Sequence, residues 1–318
     1  MADFERTRLM LCELANARHV QVLSGSGTVA NDAIAAQLSL RRGRGLILSN
    51  GEFGDRLVDH AARFGLSFDT LSDRWGNGFD PGAILQVVDR TPALDWIWFV
   101  HCETSTGVLN DLDMLKRVCA ERAITLCADC ISSIGTIPVD LHGVAYASCV
   151  SGKGLASLPG LAMVFHSDRL LPAPGELPRY LDLGLYAASR GIPFTVSSNL
   201  VCALMTALEQ RKTGDMSRGI AELSAWARRR LRELGFHTLG PDSKVSPAVI
   251  TIACPPTTRS EHLGRRLEEA GYALSYRSQY LLEKNYLQVC LMGNVSRHRV
   301  SALLDKLERC AAGANGDD

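Results

Sequence analysis

The sequence predicts an α/β protein: a mostly parallel sheet covered by helices, followed by a smaller C-terminal α+β unit. Three observations lead there. Short apolar runs alternate with longer helical stretches through the first two thirds of the chain. Glycine-rich or polar motifs stand where those runs end. After Thr195 the texture changes to long amphipathic helices with only two further apolar runs.

Taken in order, HVQVLSG, GLILSNG, DWIWFVHCE and ITLCADCI read as strands, being short, apolar and bounded by turn residues. TVANDAIAAQLSLRRG, DRLVDHAARFG and DLDMLKRVCAERA carry helical periodicity between them. Strands separated by helices pair in parallel, because a parallel connection needs a crossover of that length. A long helix is expected from Ser198 to Lys212. Beyond it lie the helices SRGIAELSAWARRRLRELG and EHLGRRLEEAG, a strand at AVITIAC, another at YLQVCLMG and a closing helix, SRHRVSALLDKLERC. The expected division is therefore a large unit, residues 1–212, and a small one, 213–318.

Composition limits the function. With 318 residues the chain is long enough for both units to have a core, and 46% apolar with 21% charged residues is ordinary for a globular protein. Lys plus Arg and Asp plus Glu number 34 each, so no net charge favours nucleic acid or an anionic membrane as partner. No apolar run approaches the roughly 20 residues of a membrane span, and the start, MADFERTRLMLCELANARH, has no signal core. A cytoplasmic protein is expected. Ten cysteines are scattered in mostly apolar surroundings, as buried thiols are. Only Cys127 and Cys130 form a C-x-x-C, inside an apparent strand end and without a second ligand pair, so no metal is expected.

In a parallel α/β sheet, ligands bind beyond the carboxyl ends of the strands. SGSGTVAND follows the first strand and opens a helix. Its Gly25 and Gly27 permit close approach, while Ser26, Thr28 and the helix N-terminus suit a phosphate; the alternative is a capped glycine turn. Glu103, Thr104, Ser105 and Thr106 form a polar knot after DWIWF, or simply a capped turn. Asp129 is the only charge between Arg122 and Asp140; it needs a cationic or hydrogen-bonding partner, and either a protonated ring nitrogen or the backbone could supply one. Lys153 stands alone in CVSGKGLASLPG, between Gly152 and Gly154, which would let the backbone pass close to a ligand. A lysine in low dielectric gives up its proton readily and then attacks carbonyls; the alternative is a lysine reaching for solvent. A phosphate loop, a polar cluster, a buried acid and a lone lysine together match the needs of pyridoxal phosphate.

SGSGT, HCETSTGVLNDL, DCISSIGTIPVD, SGKGLASLPG and GIPFT, in that order, resemble the class V aminotransferases of the fold-type I pyridoxal-phosphate enzymes. The similarity spans nearly the whole chain. The branches most alike are the 2-aminoethylphosphonate–pyruvate and the alanine–glyoxylate (serine–pyruvate) aminotransferases. The resemblance implies that Lys153 forms the Schiff base and shuttles the proton, and that Asp129 pairs with the pyridine nitrogen. It implies that Ser26, Gly27 and Thr28 hold the phosphate with help from Ser151, and that Thr195 reaches the phosphate of a second subunit. Phe53 would stack on the ring, Ile131 would pack on its other face and Thr104 would meet its hydroxyl side. The family builds its sites between subunits, so a homodimer is expected.

Three departures stand out. Relatives carry an additional N-terminal segment with a T-P-G-P-like turn, so a more open pocket, or one closed by another part, is expected. Where relatives often have glutamine before the lysine, Gly152 stands here. Where they have an arginine that grips the substrate carboxylate as a fork, YLQVCLMG has Gln288. Losing a charge-assisted pair costs a few kcal/mol, on the order of a hundredfold in affinity. Arg277 or Arg190 could restore the charge; otherwise both are surface arginines. The expected activity is transamination of a small amino substrate with atypical specificity. The alternative is a lyase, decarboxylase, or elimination or replacement enzyme on an unusual, phosphonate-like amino substrate. A cysteine desulfurase fits less well, since Cys102, Cys149 and Cys290 look strand-associated. A third possibility is a binding protein that kept the fold without catalysis, against which the intact Lys153 and Asp129 argue.

Overall fold

The computed structural model describes residues 1–91, 93–212, 216–293 and 295–312. In chain order, α1 (Ala2–Ala15), β1 (His19–Ser24), α2 (Gly27–Ser39), β2 (Arg44–Ser49), α3 (Glu52–Arg63) and β3 (Phe68–Ser72) open the chain. They are followed by α4 (Pro81–Arg90), β4 (Leu94–Val100), a small pair β5 (Cys102–Glu103) and β6 (Val108–Leu109), α5 (Leu112–Glu121), and β7 (Thr125–Asp129). Then come β8 (Tyr146–Val150), β9 (Leu161–His166), α6 (Leu183–Ala188) and α7 (Ser198–Lys212). The remainder is α8 (Met216–Glu233), β10 (His237–Thr238), β11 (Val249–Ala253), α9 (Ser260–Glu269), α10 (Gln279–Lys284), β12 (Tyr286–Cys290) and α11 (Arg297–Ala312).

The central sheet has seven strands in the order β1-β9-β8-β7-β4-β2-β3. Every pairing is parallel except those of β9, which runs against both β1 and β8. Strands buried on both faces must be apolar throughout, and WIWFV of β4 and LAMVF of β9 are. One cluster of side chains fills the face under α1, α5 and α7; a second, around Leu23, Ile47, Trp96 and Trp98, fills the face under α2 and α3. The parallel strands point their carboxyl ends to one edge, and Asp129 is the last residue of β7 there.

The C-terminal residues form a three-stranded antiparallel sheet, β10-β11-β12, packed under α8, α9 and α11 with its own apolar cluster from Ile220 to Cys310. The boundary expected at residue 213 lies outside the described residues. All four expected strands of the first half are present, and the helix expected from Ser198 to Lys212 is α7. α4, β3, β8 and β9 were not read from the sequence. α4 is recognisable in retrospect by Asp80, whose carboxylate accepts from the amides of Gly82 and Ala83 ahead of Pro81 at the first helical position. Cys127 and Cys130 are buried thiols. No helix among the described residues is long and apolar enough to cross a membrane.

Phe99 is fully buried at the centre of the sheet. Phe99→Ala is expected to lower the unfolding free energy by about 3–5 kcal/mol, measured by denaturant titration.

Candidate active site

The loops at the carboxyl edge enclose a cavity of about 350 Å³. The turn at its mouth follows β1. Ser26 is the N-cap residue of α2, so the first amides of that helix are free to meet an anion. Gly27 packs directly against the Ile131 side chain, which would have to shift to admit a Cβ there. Ser26, Gly27, Thr28 and Ile131 all line the cavity, as do Phe53, Thr104, Asp129 and Lys153.

Asp129 is buried. Its Oδ1 accepts the Ile131 N–H at 2.9 Å and its Oδ2 accepts Nδ2 of Asn31 at 2.8 Å. Burial raises its proton affinity, partly offset by those two donors and by the nearby His60 and Lys153. The carboxylate's hydrogen-bond partners are thus neutral, and Asn31 Oδ1 is buried beside it without a partner. A cationic N–H entering the cavity would satisfy that environment. Thr104 donates through its hydroxyl to Ser132 Oγ at 2.7 Å. Lys153 follows β8 in a tight turn in which Ala156 N donates to Lys153 O. Gly154 is demanded there by contact with the Ile134 carbonyl, 2.3 Å from where a Cβ would stand, and not by closeness to a ligand.

Five expected site residues fall elsewhere. Ser151 does not line the cavity; its hydroxyl donates to Leu158 O at 2.7 Å and accepts Leu161 N at 3.2 Å, bracing the lysine turn from behind. Arg277 forms an exposed ion pair with Glu268, 9 residues earlier in sequence, on the outer face of the small sheet's helices. Arg190 is an exposed residue in a left-handed turn (φ 52°) after α6. Gln288 is buried, and its Nε2 is taken up by Thr104 O at 2.7 Å, Thr251 Oγ1 at 2.9 Å and Ser105 O at 3.1 Å. It ties β12 to the loop bearing Thr104 instead of facing the cavity. Thr195 is exposed and outside the cavity of its own chain.

Arg56 and His60, which sequence reasoning passed over, join the expected Phe53, and Glu103 anchors the helix that carries them. Phe53, Arg56 and His60 share one face of α3 at helical spacing, and all three line the cavity. The Arg56 guanidinium lies 5.0 Å from the Phe53 ring centre and pairs with Glu52. His60 Nδ1 lies 2.6 Å from Asp32 Oδ1. Glu103 is fully buried at the N-terminus of α3: Oε2 accepts Gly54 N at 2.9 Å, and Oε1 accepts Phe53 N at 3.3 Å and the Ser105 hydroxyl at 2.5 Å. The 3/4 spacing in EFGDRLVDH was the available signal for Arg56 and His60; nothing local marks Glu103 as a helix anchor, because its partner helix starts 50 residues earlier.

A strand order with one reversed strand, and a lysine and a carboxylate sharing a cavity at the carboxyl edge, are the architecture of the fold-type I aminotransferases. The solved structure of alanine–glyoxylate aminotransferase from Nostoc sp. superposes with a TM-score of 0.87 at 26% identity, covering 98% of this chain and 86% of that one. Pyridoxamine–pyruvate aminotransferase from Mesorhizobium loti shares the fold, with a TM-score of 0.90 at 21% identity over 99% of this chain and 85% of that one. The profile of the family "Aminotransferase class-V" matches residues 1–276. A 2-aminoethylphosphonate–pyruvate transaminase from Paraburkholderia phymatum is 32% identical over 266 residues, 79% of this chain and 72% of that protein. A protein named soluble hydrogenase, small subunit, from Synechococcus sp. is 30% identical over 307 residues, 92% and 80%. The chain belongs to the class V aminotransferase family and is an enzyme of the transferase class.

Burial pushes the Glu103 carboxyl up to about 7, against hydrogen bonds from Ser105, Gly54 and Phe53 that pull it down. The folded state therefore holds a proton that the unfolded state has released between its ordinary value of 4.5 and about 7. That stabilisation is complete below the ordinary value and is lost as pH rises through about 7, on the order of 3 kcal/mol in all. Relative to Glu103→Gln, the wild-type protein should lose stability between pH 5 and pH 8 by this amount in denaturant titrations.

Proposed function

We propose that the protein is a pyridoxal-phosphate-dependent aminotransferase acting on a small amino substrate through Lys153. The observation that carries this is a single cavity holding both Lys153 and the buried Asp129, between Ile131 and Phe53, with a helix N-terminus at its mouth. The donor set fits the cofactor. Ser26, Gly27 and Thr28 offer hydroxyls and amides to a phosphate, Ile131 lines the same cavity as an apolar surface for a ring, and Asp129 offers a carboxylate to a protonated ring nitrogen. When bound, pyridoxal phosphate supplies a carbonyl and an electron-withdrawing ring.

Lys153 is the only primary amine among the described residues that line the cavity, so it both carries the cofactor and moves the substrate proton. Asp129 holds a proton on the ring nitrogen. Phe53 and Ile131 confine the ring, and Thr104, steadied by Ser132 and by Gln288 on its carbonyl, meets the hydroxyl side. Arg56 is the one guanidinium lining the cavity among the described residues. It takes the substrate's anionic group, since Gln288 is committed elsewhere. Thr195, exposed in its own chain, serves the phosphate of a second copy in a homodimer, each copy being divided into a large unit, residues 1–212, and a small one, 213–318. A lyase or elimination outcome on the same cofactor is favoured by one observation, the absence of a guanidinium at position 288.

The test is the absorbance spectrum of the purified protein with pyridoxal phosphate while an amino donor such as L-alanine or 2-aminoethylphosphonate is added without acceptor. A yellow band that converts to the pyridoxamine form supports transamination; a band that ignores every donor supports the lyase reading; no band overturns both. Lys153→Ala is expected to abolish the band and turnover. Arg56→Gln is expected to raise KM for an anionic donor by on the order of 10–100-fold in steady-state assays, the loss of one charge-assisted hydrogen bond.

A further inference from the structure

Asn31 and Asp32 are adjacent on α2, so their side chains leave the helix about 100° apart. Asn31 reaches inward to Asp129 of β7 at 2.8 Å, and Asp32 reaches sideways to His60 of α3 at 2.6 Å. Asn31, His60 and Asp129 line the same cavity. The imidazole is 9% exposed, whereas the Asp32 carboxylate is 31% exposed and stays hydrated. The contact fixes the orientation of the imidazole, and the carboxylate is the counter-ion at hand for a positive charge on that ring.

Asp129 needs such a charge. Its direct partners, the Asn31 amide and the Ile131 N–H, are neutral, and burial favours its protonated form. Two side chains act on it through their positive charge, Lys153 and, in its protonated form, His60. Under the proposed function Lys153 is engaged with the cofactor and gives up its charge during the reaction. The thiols of Cys102, Cys130 and Cys149, which also face Asp129, are kept neutral by burial. The other groups near His60 are the Trp98 ring, 6.4 Å away, Arg56 one turn earlier, which is exposed and paired with Glu52, and the adjacent Asp59, which is exposed and paired with Arg63.

We propose that His60, clamped by Asp32, is the positioning residue that keeps Asp129 ionised for the cofactor's ring nitrogen. This rests on the pyridoxal-phosphate reading above. Helix α2 then sets both ends of the site, the phosphate turn through Ser26–Thr28 and the nitrogen end through Asn31 and Asp32.

The experiment follows the Asp129 carboxyl by carbon-13 NMR through a pH titration of cofactor-free protein, with Asp129→Asn assigning the signal. In His60→Leu the titration should move to higher pH, on the order of one unit, because a nearby cation has been removed. His60→Gln, which keeps a hydrogen bond to Asp32 without the charge, should shift it equally, and Asp32→Asn should shift it in the same direction by less. The acid limb of the pyridoxal-phosphate affinity profile should rise with it. An Asp129 titration unchanged in His60→Leu, or in His60→Gln where the leucine variant does not fold, overturns the proposal. A purely structural role for His60 would lower Tm in both variants without moving that carboxyl. A titration shift in the variants of a protein that, as wild type, binds no pyridoxal phosphate would overturn the functional reading instead.

Discussion

The site hangs on one buried carboxylate. Glu103 is enclosed where β5 meets the start of α3, and its oxygens collect the amides of Phe53 and Gly54 and the hydroxyl and amide of Ser105. A helix begins with amides that have no partner inside the helix, and Glu103 supplies the acceptors. This fixes the rotation of α3, and with it the face that carries Phe53, Arg56 and His60 into the cavity. The same loop passes through Thr104 and Ser105, whose carbonyls Gln288 holds from β12. A single polar knot therefore joins the helix over the cavity, the loop beside it and the small sheet.

The opposite wall depends on α2. Its first residue, Gly27, packs on Ile131, its second turn sends Asn31 to Asp129, and the next residue meets His60. A rigid helix spaces an anion-binding turn from a buried carboxylate by a fixed distance, a requirement for any ligand with a phosphate at one end and a basic nitrogen at the other. The two walls meet at the Asp32–His60 contact, so α2 and α3 are coupled through charge as well as through packing.

Much of this was legible in the sequence, and the reasons for success and failure are physical. β1, β2, β4 and β7 announce themselves because strands buried on both faces must be apolar end to end, and the motifs at their carboxyl ends lie where a parallel sheet puts its chemistry. Ser26, Thr28, Asp129 and Lys153 were found because each is a polar exception in apolar or small-residue surroundings. Ser151 was misjudged since its neighbour is the lysine; sequence adjacency in a turn sends alternate side chains to opposite sides, and Ser151 turns back to Leu158 and Leu161. Arg277 and Arg190 were weighed on charge alone, and charge does not say which way an exposed side chain points. Glu103 and His60 depend on contacts with α3 and α2 from residues 28 to 50 positions away, which no local pattern encodes. β8 and β9 are short runs joined by the lysine loop with no helix between them, so no strand–helix alternation marks either of them out.

Position 288 shows how the same residue changes meaning between sequence and structure. In the sequence, glutamine looks like a lost guanidinium. In the fold it is a gained latch: a buried amide with its hydrogens given to two carbonyls and a hydroxyl, in a place where an arginine would have brought a charge without a carboxylate to meet it until substrate arrived. A neutral amide needs no counter-ion, so it holds the loop at Thr104 and Ser105 by hydrogen bonds alone. The consequence falls on specificity. With position 288 silent, the cation that faces the cavity comes from α3, at Arg56, on the Phe53 side and not from the small sheet. Under the proposed function, a substrate oriented by that charge would present a different bond to Lys153 than one gripped from β12, and the direction of the anchoring charge is what would set substrate choice.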